Sequence, residues 1–151
     1  MKKLEDLEKL INSELTSKIN SSKINHGQIY LNINENDLID VVLFLKTNSY
    51  TLFRQLIDIT AVDYPDNDKR FKLVYLLLSH ENNQRALIDF SLKEHEVVSS
   101  LTPIFPASNW MEREVFDMYG IEFKNHPDLR RILTDYGFEG HPLRKDFPLT
   151  G

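Results

Sequence analysis

The stretch of the chain with the most chemistry is the run Glu-Arg-Glu-Val-Phe-Asp over residues 112–117. Three carboxylates, those of Glu112, Glu114 and Asp117, lie there around the guanidinium of Arg113. Paired carboxylates can perform general acid/base catalysis when they face one substrate. Two acids separated by one residue on a helix do not point into one pocket, and no histidine or metal-ligand set lies beside them. The sequence therefore disfavours a catalytic carboxylate pair.

Two structural interpretations of the same run stay open. In the first, residues 112–117 form an exposed, salt-bridged helix face on which Arg113 and Asp117 are i,i+4 partners, worth ~0.3–0.5 kcal/mol. In the second, the cluster is partly buried, with Arg130 or Arg131 as partners. Removing one member would then leave an unpaired charge, at a cost of roughly 3–5 kcal/mol. Both interpretations place the apolar stripe of this helix at Met111, Val115 and Met118.

The histidines give little indication of a metal site. His126 and His141 each precede a proline, and Asp128 and Asp146 lie near them in sequence. Zinc sites use closer pairs and four ligands, so we expect hydrogen-bonded or surface histidines and no metal. The chain contains neither a G-x-G-x-x-G nor a G-x-S-x-G pattern, and it has no P-loop, which removes support for nucleotide binding and serine-hydrolase chemistry.

The composition excludes several classes of protein. The 151 residues, 41% hydrophobic and 27% charged, predict one water-soluble globular domain. A net charge of -5 argues against nucleic-acid binding through phosphate contacts. With no cysteine, the chain lacks disulfides, thiol catalysis and thiolate-held iron–sulfur clusters. The longest apolar run, residues 73–78, is too short to cross a membrane, and the acidic start resembles neither a signal nor a transit peptide.

Hydrophobic periodicity predicts the elements that must position the charged run. Helical spacing predicts one helix over residues 4–15, a second from Asn34 or Asn36 to Leu45, and a third from Asn109 to Gly120. For the third helix, Asn109 and Glu112 form a potential capping box and Gly120 a C′ residue. Strand patterns cover residues 29–33 and 53–62, and a hairpin is predicted from residues 71–79 and 84–92. Residues 97–105 are interrupted by Pro103 and followed by Pro106, so at most one or two helical turns fit there.

These elements predict an α+β fold with a mixed or antiparallel sheet packed with helices. We place this domain at residues 1–119. Residues 120–151 are rich in glycine, proline, arginine and aromatic side chains, and we interpret them as an extended, irregular tail that binds a partner and offers it aromatic side chains. The tail is not expected to form an independent domain.

Three motifs carry a resemblance to a known family, strongest from Trp110 onward. They are Glu112-Arg113-Glu114-Val115-Phe116-Asp117-Met118-Tyr119-Gly120-Ile121, His126-Pro127-Asp128-Leu129-Arg130-Arg131-Ile132-Leu133 and Gly140-His141-Pro142-Leu143-Arg144-Lys145-Asp146-Phe147-Pro148. Together they closely resemble the 30 kDa subunit family of proton-pumping NADH:quinone oxidoreductase, respiratory complex I. Relatives commonly continue beyond the position of Gly151, so this chain resembles a short or truncated form.

The resemblance implies a non-catalytic subunit of the peripheral arm that supports assembly and electron transfer from NADH to quinone. It implies no cofactor on this chain, with FMN and Fe-S clusters on neighbouring subunits. The implied partners are the large quinone-site subunit and the Fe-S subunits. Residues 134–138 are more similar to the mitochondrial and alphaproteobacterial branch than to plastid relatives, which implies ubiquinone as acceptor. Membrane association would then occur only through the complex, on the cytoplasmic side of the bacterial inner membrane or the matrix side of the mitochondrial one.

We expect the charged and aromatic residues of the three motifs to form the partner interface or to support it, and Arg130, Arg131, Arg144 and Phe147 to anchor it. The full set is Glu112, Arg113, Glu114, Asp117, His126, Arg130, Arg131, His141, Arg144, Lys145, Asp146 and Phe147. Three alternatives remain: the equivalent subunit of an energy-converting membrane hydrogenase, a free-standing acid/base enzyme, and a generic peptide-binding module.

Overall fold

The structure is a computed structural model that describes residues 2–127 and 140–145. Arg130, Arg131, Asp146 and Phe147 lie outside this part of the chain. The described elements are three helices, α1 (Leu4–Glu14), α2 (Leu38–Thr47) and α3 (Ser108–Tyr119), and seven strands, β1 (Ser21–Asn25), β2 (Gln28–Asn32), β3 (Gln55–Asp63), β4 (Phe71–Ser79), β5 (Gln84–Leu92), β6 (Val98–Ser99) and β7 (Phe123–Lys124). The fold is α+β, as the sequence predicts.

The five longer strands form one mixed sheet in the order β1-β2-β5-β4-β3. β1 and β2 are antiparallel, with Ser21 opposite Asn32, whereas β2 and β5 are parallel, with Ile29 opposite Ala86. The predicted hairpin is confirmed, because β4 and β5 are neighbours joined by only four residues, a connection that makes them antiparallel. The parallel β2–β5 pair makes the sheet mixed.

Local corrections to the sequence prediction concern short or polar segments. The sequence predicts a break between elements at residues 20–22, but Ser21 and Ser22 begin β1. The side chains of this strand are largely exposed, so most of them are polar and give no strand pattern. The second helix is preceded by a 3-10 turn at Glu35–Asp37, with Asn34 as its N-cap residue and no side-chain capping bond. Residues 97–105 supply β6, which pairs in parallel with β7.

Chain contacts divide the protein into two compact units, the first comprising residues 1–58 and 74–90. In this unit α1 contributes two fully buried side chains, Leu7 and Ile11, and α2 contributes four buried apolar residues. The ammonium of Lys2 lies 4.3 Å from the ring centroid of Tyr50 and donates to its carbonyl at 3.0 Å. Asn82 donates to the same carbonyl at 2.9 Å, so the loop after α2 is held by two side-chain donors.

The second unit comprises residues 59–73 and 91–151 and contains α3 and the β6–β7 pair. Val98 and Phe123 face each other in the two-stranded pair, and both are buried. Phe123 belongs to the segment interpreted as a partner-binding tail. The prediction that its ring is offered to a partner is therefore wrong for Phe123, which contributes to the apolar core of its own chain. The proposed boundary at residues 119 and 120 stays a prediction.

None of the helices in residues 2–127 and 140–145 combines the length and the apolar character of a membrane span.

Candidate functional site

The charged run lies on α3, which ends where the sequence predicts. Gly120 follows the helix in the left-handed conformation, with φ of 79°, a value that glycine adopts without steric cost. The predicted capping box is wrong: the helix begins at Ser108 after Ala107, without a side-chain capping bond. Glu112 has a different role in this helix.

Glu112 is fully buried and accepts two hydrogen bonds from the segment that precedes α3. The Ser100 hydroxyl donates to Oε1 at 2.6 Å, and the Leu101 amide donates to Oε2 at 2.8 Å. Burial raises the pKa of Glu112, against the opposing effects of the Leu101 amide, the Ser100 hydroxyl and the charge of His126. The carboxyl group therefore joins the 100–101 segment to the helix.

The interpretation of residues 112–117 as an exposed helix face is wrong for two of its carboxylates. Glu112 and Asp117 are both fully buried, whereas Glu114 is exposed. Helical spacing could have indicated the burial of Glu112, because it lies three residues before the apolar Val115 and so shares a helix face with it. Ser108, four residues before Glu112, is buried on the same face. Arg113 lies with its guanidinium carbon 5.4 Å from the ring centroid of the exposed Trp110.

His126 is buried against the first turn of α3. Its side chain has no exposed surface, and Nε2 lies 3.0 Å from the Asn109 carbonyl, to which it donates. The same nitrogen lies 3.9 Å from Oε1 of Glu112. The structure thus brings together two of the residues that the sequence singled out, and confirms His126 as a hydrogen-bonded histidine.

The C-terminal end of α3 is capped by residues 140–145, a segment that we call the clasp. The last four carbonyls of a helix have no partner within the helix. Here the clasp supplies donors to three of them: His141 Nδ1 to Asp117 O (2.8 Å), Leu143 N to Met118 O (3.0 Å) and Arg144 Nε to Tyr119 O (2.6 Å). The Phe116 carbonyl accepts from the amide of Gly120, the residue that directly follows the helix, at 2.8 Å. The cationic Arg144 also complements the negative end of the helix dipole.

The close approach of the clasp depends on Gly120. A Cβ built on this glycine would lie 2.8 Å from Cδ2 and Nε2 of His141, closer than real side chains approach. The imidazole of His141 also lies beside the ring of Phe116, with ring centroids 6.1 Å apart. Gly120 is therefore required both for its left-handed backbone and for the space that His141 occupies.

A charged network fixes the other side of the clasp. Arg70 donates to both carboxylate oxygens of Asp63, at 2.7 and 2.8 Å, and lies 3.5 Å from Glu94. Arg144 donates to Glu94 at 3.2 Å, and the Lys145 amide donates to Asp63 at 2.8 Å. The Arg70 guanidinium lowers the pKa of Asp63, and the Lys145 amide and the charge of Arg144 lower it further against the effect of burial.

Aromatic rings cover this network. Phe71 lies between two guanidiniums, with its ring centroid 5.2 Å from the carbon of Arg70 and 5.1 Å from that of Arg144. Tyr119 packs edge-on against Phe71 at 6.3 Å, and its pKa is raised by burial and by the charge of Asp63. No sequence pattern singled out Asp63, Arg70 or Glu94, because they lie on strand ends and a loop far from α3 in sequence.

The described part of the predicted site thus forms two clusters, one around Glu112 and His126 and one around the clasp. Glu114 joins neither, and Lys145 contributes its backbone while its side chain is exposed. In residues 2–127 and 140–145, no three histidine, aspartate or glutamate side chains are grouped closely enough to hold a metal ion. The role of these residues at a partner interface stays a prediction.

Comparison with known proteins identifies relatives over most of the chain. Residues 31–151 match the family described as "Respiratory-chain NADH dehydrogenase, 30 Kd subunit". The corresponding NADH-quinone oxidoreductase subunit of Chelativorans sp. (strain BNC1) is 47% identical over 148 residues, which are 98% of this chain and 74% of the relative. NADH dehydrogenase [ubiquinone] iron-sulfur protein 3 of Beta trigyna is 54% identical over 129 residues, 85% of this chain and 67% of the relative.

Solved structures agree with these sequence matches. The trypsin-resistant fragment (1-134) of Nqo5 superposes with a TM-score of 0.68 at 26% identity, covering 82% of this chain and 98% of the fragment. One chain of the membrane-bound sulfane sulfur reductase, an archaeal respiratory membrane complex, gives a TM-score of 0.85 at 24% identity, covering 99% of this chain and 88% of the other, which shows a shared fold. This chain belongs to the family of the 30 Kd subunit of respiratory-chain NADH dehydrogenase.

Proposed function

We propose that this chain is a structural subunit of the peripheral arm of NADH:quinone oxidoreductase, respiratory complex I. Its family membership over residues 31–151 is the observation that carries the proposal. Subunits of this family are named for an enzyme that oxidises NADH and reduces a quinone. The chain contributes to this reaction by supporting assembly and electron transfer within the complex.

The geometry of α3 supports a structural role for its charged residues. Glu112 is buried and accepts hydrogen bonds from the Ser100 hydroxyl and the Leu101 amide, whereas Glu114 is exposed on another face of the same helix. The two carboxylates therefore do not face one substrate, which disfavours a free-standing acid/base enzyme. The two hydrogen bonds of Glu112 join the 100–101 segment to α3, which is a structural role.

The finer parts of the proposal concern partners, cofactors and location. We place the chain against the large quinone-site subunit and the Fe-S subunits, with FMN and the Fe-S clusters on those neighbours and none on this chain. Ubiquinone is the proposed acceptor. The complex would hold the chain at the cytoplasmic side of a bacterial inner membrane or the matrix side of the mitochondrial one. The motif similarities described above support these assignments.

The equivalent subunit of an energy-converting membrane hydrogenase is the second candidate. The 47% identity to the Chelativorans subunit, which is named for NADH-quinone oxidoreductase, favours the first candidate. The likeness to the archaeal sulfane sulfur reductase, at 24% identity, shows the fold alone and does not separate the two candidates.

An affinity-tagged chain tests the proposal in its native host. We expect NADH:quinone oxidoreductase activity to co-purify with the tagged chain from detergent-solubilised membranes, and the purified chain alone to have no turnover. A chain that co-purifies with hydrogenase activity, or that turns over a substrate by itself, would contradict the proposal. Arg130→Ala with Arg131→Ala tests the predicted anchors, and unchanged assembly and activity of this double variant would show that they are not required.

A further inference from the structure

The second unit has a small hollow with an exposed aromatic side chain at its edge and an exposed leucine close to it along the chain. The hollow has a volume of about 280 Å³ and is lined by the hairpin tip between β3 and β4, residues 64–67, and by Lys145. Tyr64 at its edge is 42% exposed, and Leu143, two residues before Lys145, is 53% exposed. We call residues 64–67, Leu143 and Lys145 the Tyr64–Leu143 surface.

The backbone holds this surface in place while leaving its side chains exposed. In the hairpin tip, the Tyr64 amide donates to the Arg70 carbonyl at 2.7 Å, and the Asn67 amide donates to the Tyr64 carbonyl at 3.0 Å. In the clasp, the amides of Leu143 and Lys145 are both hydrogen-bonded, to the Met118 carbonyl and to Asp63. A binding surface that is already ordered loses little conformational entropy on association.

The size of the hollow limits what can occupy it. Pockets for small molecules and cofactors have volumes of about 300–1,000 Å³, and most of them are apolar. At about 280 Å³ this hollow is at the lower end of that range, and Asp66, Asn67 and Lys145 make its wall more polar than such a site. One large side chain is a better match, with the rings of Tyr64 and Pro65 supplying the apolar contact.

Charge indicates the chemistry of the occupant. Lys145 is exposed and forms no ion pair with the described residues, so its ammonium is available to a carboxylate. An anionic membrane surface attracts clusters of about four to eight cations, and here a single lysine shares the hollow with Asp66. A second copy of this chain would also carry a net charge of -5, so the two copies would repel each other. A protein partner fits these observations better than a membrane or a second copy.

We propose that the Tyr64–Leu143 surface binds a segment of a neighbouring subunit of the respiratory complex. That segment inserts one bulky apolar side chain into the hollow, packs against Leu143 and places a carboxylate beside Lys145. The inference rests on the proposed function, because the neighbour is a subunit of the same complex. The clasp then has two roles, since it caps α3 and presents Leu143 and Lys145 to the partner.

Leu143→Ala and Lys145→Glu test this surface in the native complex, with Leu43→Ala as the matched control. Leu43 is an exposed leucine of similar accessibility, 45%, on α2 in the first unit. Neither test substitution removes a clasp hydrogen bond, because Leu143 and Lys145 use their backbone amides there. We expect each test variant to lower the co-purifying NADH:quinone oxidoreductase activity by at least about tenfold, as loss of an interface hot spot does. The control should leave that activity unchanged.

A photo-crosslinking residue at position 143, with one at position 43 as control, identifies the occupant. We expect position 143 to crosslink to another subunit of the purified complex. The inference would be overturned by crosslinks to lipid or to a second copy, or by test variants that assemble like the control. In those cases, co-purification of activity with the wild-type chain would still support the proposed function. If the wild-type chain carries no such activity, the proposed function itself fails. Circular dichroism of the purified variants separates lost binding from lost folding.

Discussion

Gly120→Ala tests whether the clasp contributes to folding, and Gly27→Ala is its matched control. Both glycines have a positive φ, 79° at Gly120 and 73° at Gly27. An alanine in this conformation costs roughly 1–2 kcal/mol at either site. The sites differ in their surroundings, because a Cβ at Gly27 would meet nothing within 4 Å, whereas one at Gly120 would meet His141 at 2.8 Å.

The clash sets the size of the expected difference. His141 must move away, which breaks its bond to the Asp117 carbonyl and leaves that carbonyl without its donor. One such bond contributes ~0.5–1.5 kcal/mol, and an unsatisfied buried group costs ~1–3 kcal/mol. We therefore expect the free energy of unfolding to fall by ~1–3 kcal/mol more for Gly120→Ala than for Gly27→Ala. For a chain of this length each kcal/mol lowers Tm by about 2–4 °C.

Two assays on the purified chain measure this difference. Thermal unfolding followed by circular dichroism gives Tm for both variants. Trypsin cleavage after Arg144 reports opening of the clasp, and it should become faster in Gly120→Ala and stay unchanged in Gly27→Ala. Equal losses of Tm and equal cleavage rates would refute the reasoning, because the His141 contact would then contribute nothing beyond backbone strain.

Three further predictions concern the titratable and charged residues around α3 and the clasp. Glu112→Ala should lower the free energy of unfolding by about 1–3 kcal/mol, because it removes the acceptor of the buried Leu101 amide and the bond to the Ser100 hydroxyl. The exposed Glu114→Ala should change this free energy by less than about 0.5 kcal/mol, and equal effects of the two variants in urea unfolding would contradict the burial of Glu112. The pKa of Asp63 is lowered from 3.8, so the stability that its carboxylate contributes is present above that pH and is lost as the pH falls through the folded-state pKa. The difference in free energy of unfolding between wild type and Asp63→Asn should therefore shrink below about pH 4. A difference that stays constant in this acid titration would contradict the ion pair with Arg70. Arg144→Lys should speed tryptic cleavage in the clasp, because an ammonium cannot reach the Tyr119 carbonyl and the Glu94 carboxylate together as the planar guanidinium does. If this variant resists trypsin as well as the wild type does, a positive charge at this position is enough.

Hydrophobic periodicity was sufficient for the main elements of the fold. Residues 38, 41, 42 and 45 repeat at helical spacing and are the buried positions of α2. The alternation in residues 84–92 predicted the correct face of β5, whose Ala86, Ile88, Phe90 and Leu92 are buried. These segments have one buried face each, so the period of their apolar residues reports their structure directly.

The missed strand β1 shows where periodicity gives no signal. It has five residues, Ser-Ser-Lys-Ile-Asn, lies at the edge of the sheet and buries none of its side chains. Its pairing with β2 comes from backbone hydrogen bonds around a two-residue turn at His26 and Gly27, both with positive φ. A pattern of buried apolar residues cannot reveal a strand that buries no side chain.

The candidate site was harder to predict because its chemistry depends on distant partners. Glu112 has the residue type of a surface helix position, and only the donors at residues 100–101 and His126 explain its burial. Arg144 has the residue type of an interface anchor, yet in the described structure it binds Tyr119 and Glu94 of its own chain. The sequence singled out Glu112 and Arg144 by residue type and motif, but it gave no sign of Asp63, Arg70 and Glu94, and only the fold shows what these side chains contact.

We expect this chain to work as part of a larger oxidoreductase. Affinity purification of the tagged wild-type chain from solubilised membranes of its own host, followed by an NADH:quinone oxidoreductase assay of the eluate, tests it most directly. We predict activity in the eluate and none in the chain purified alone. An eluate without that activity, or an isolated chain that catalyses the reaction by itself, would contradict the claim.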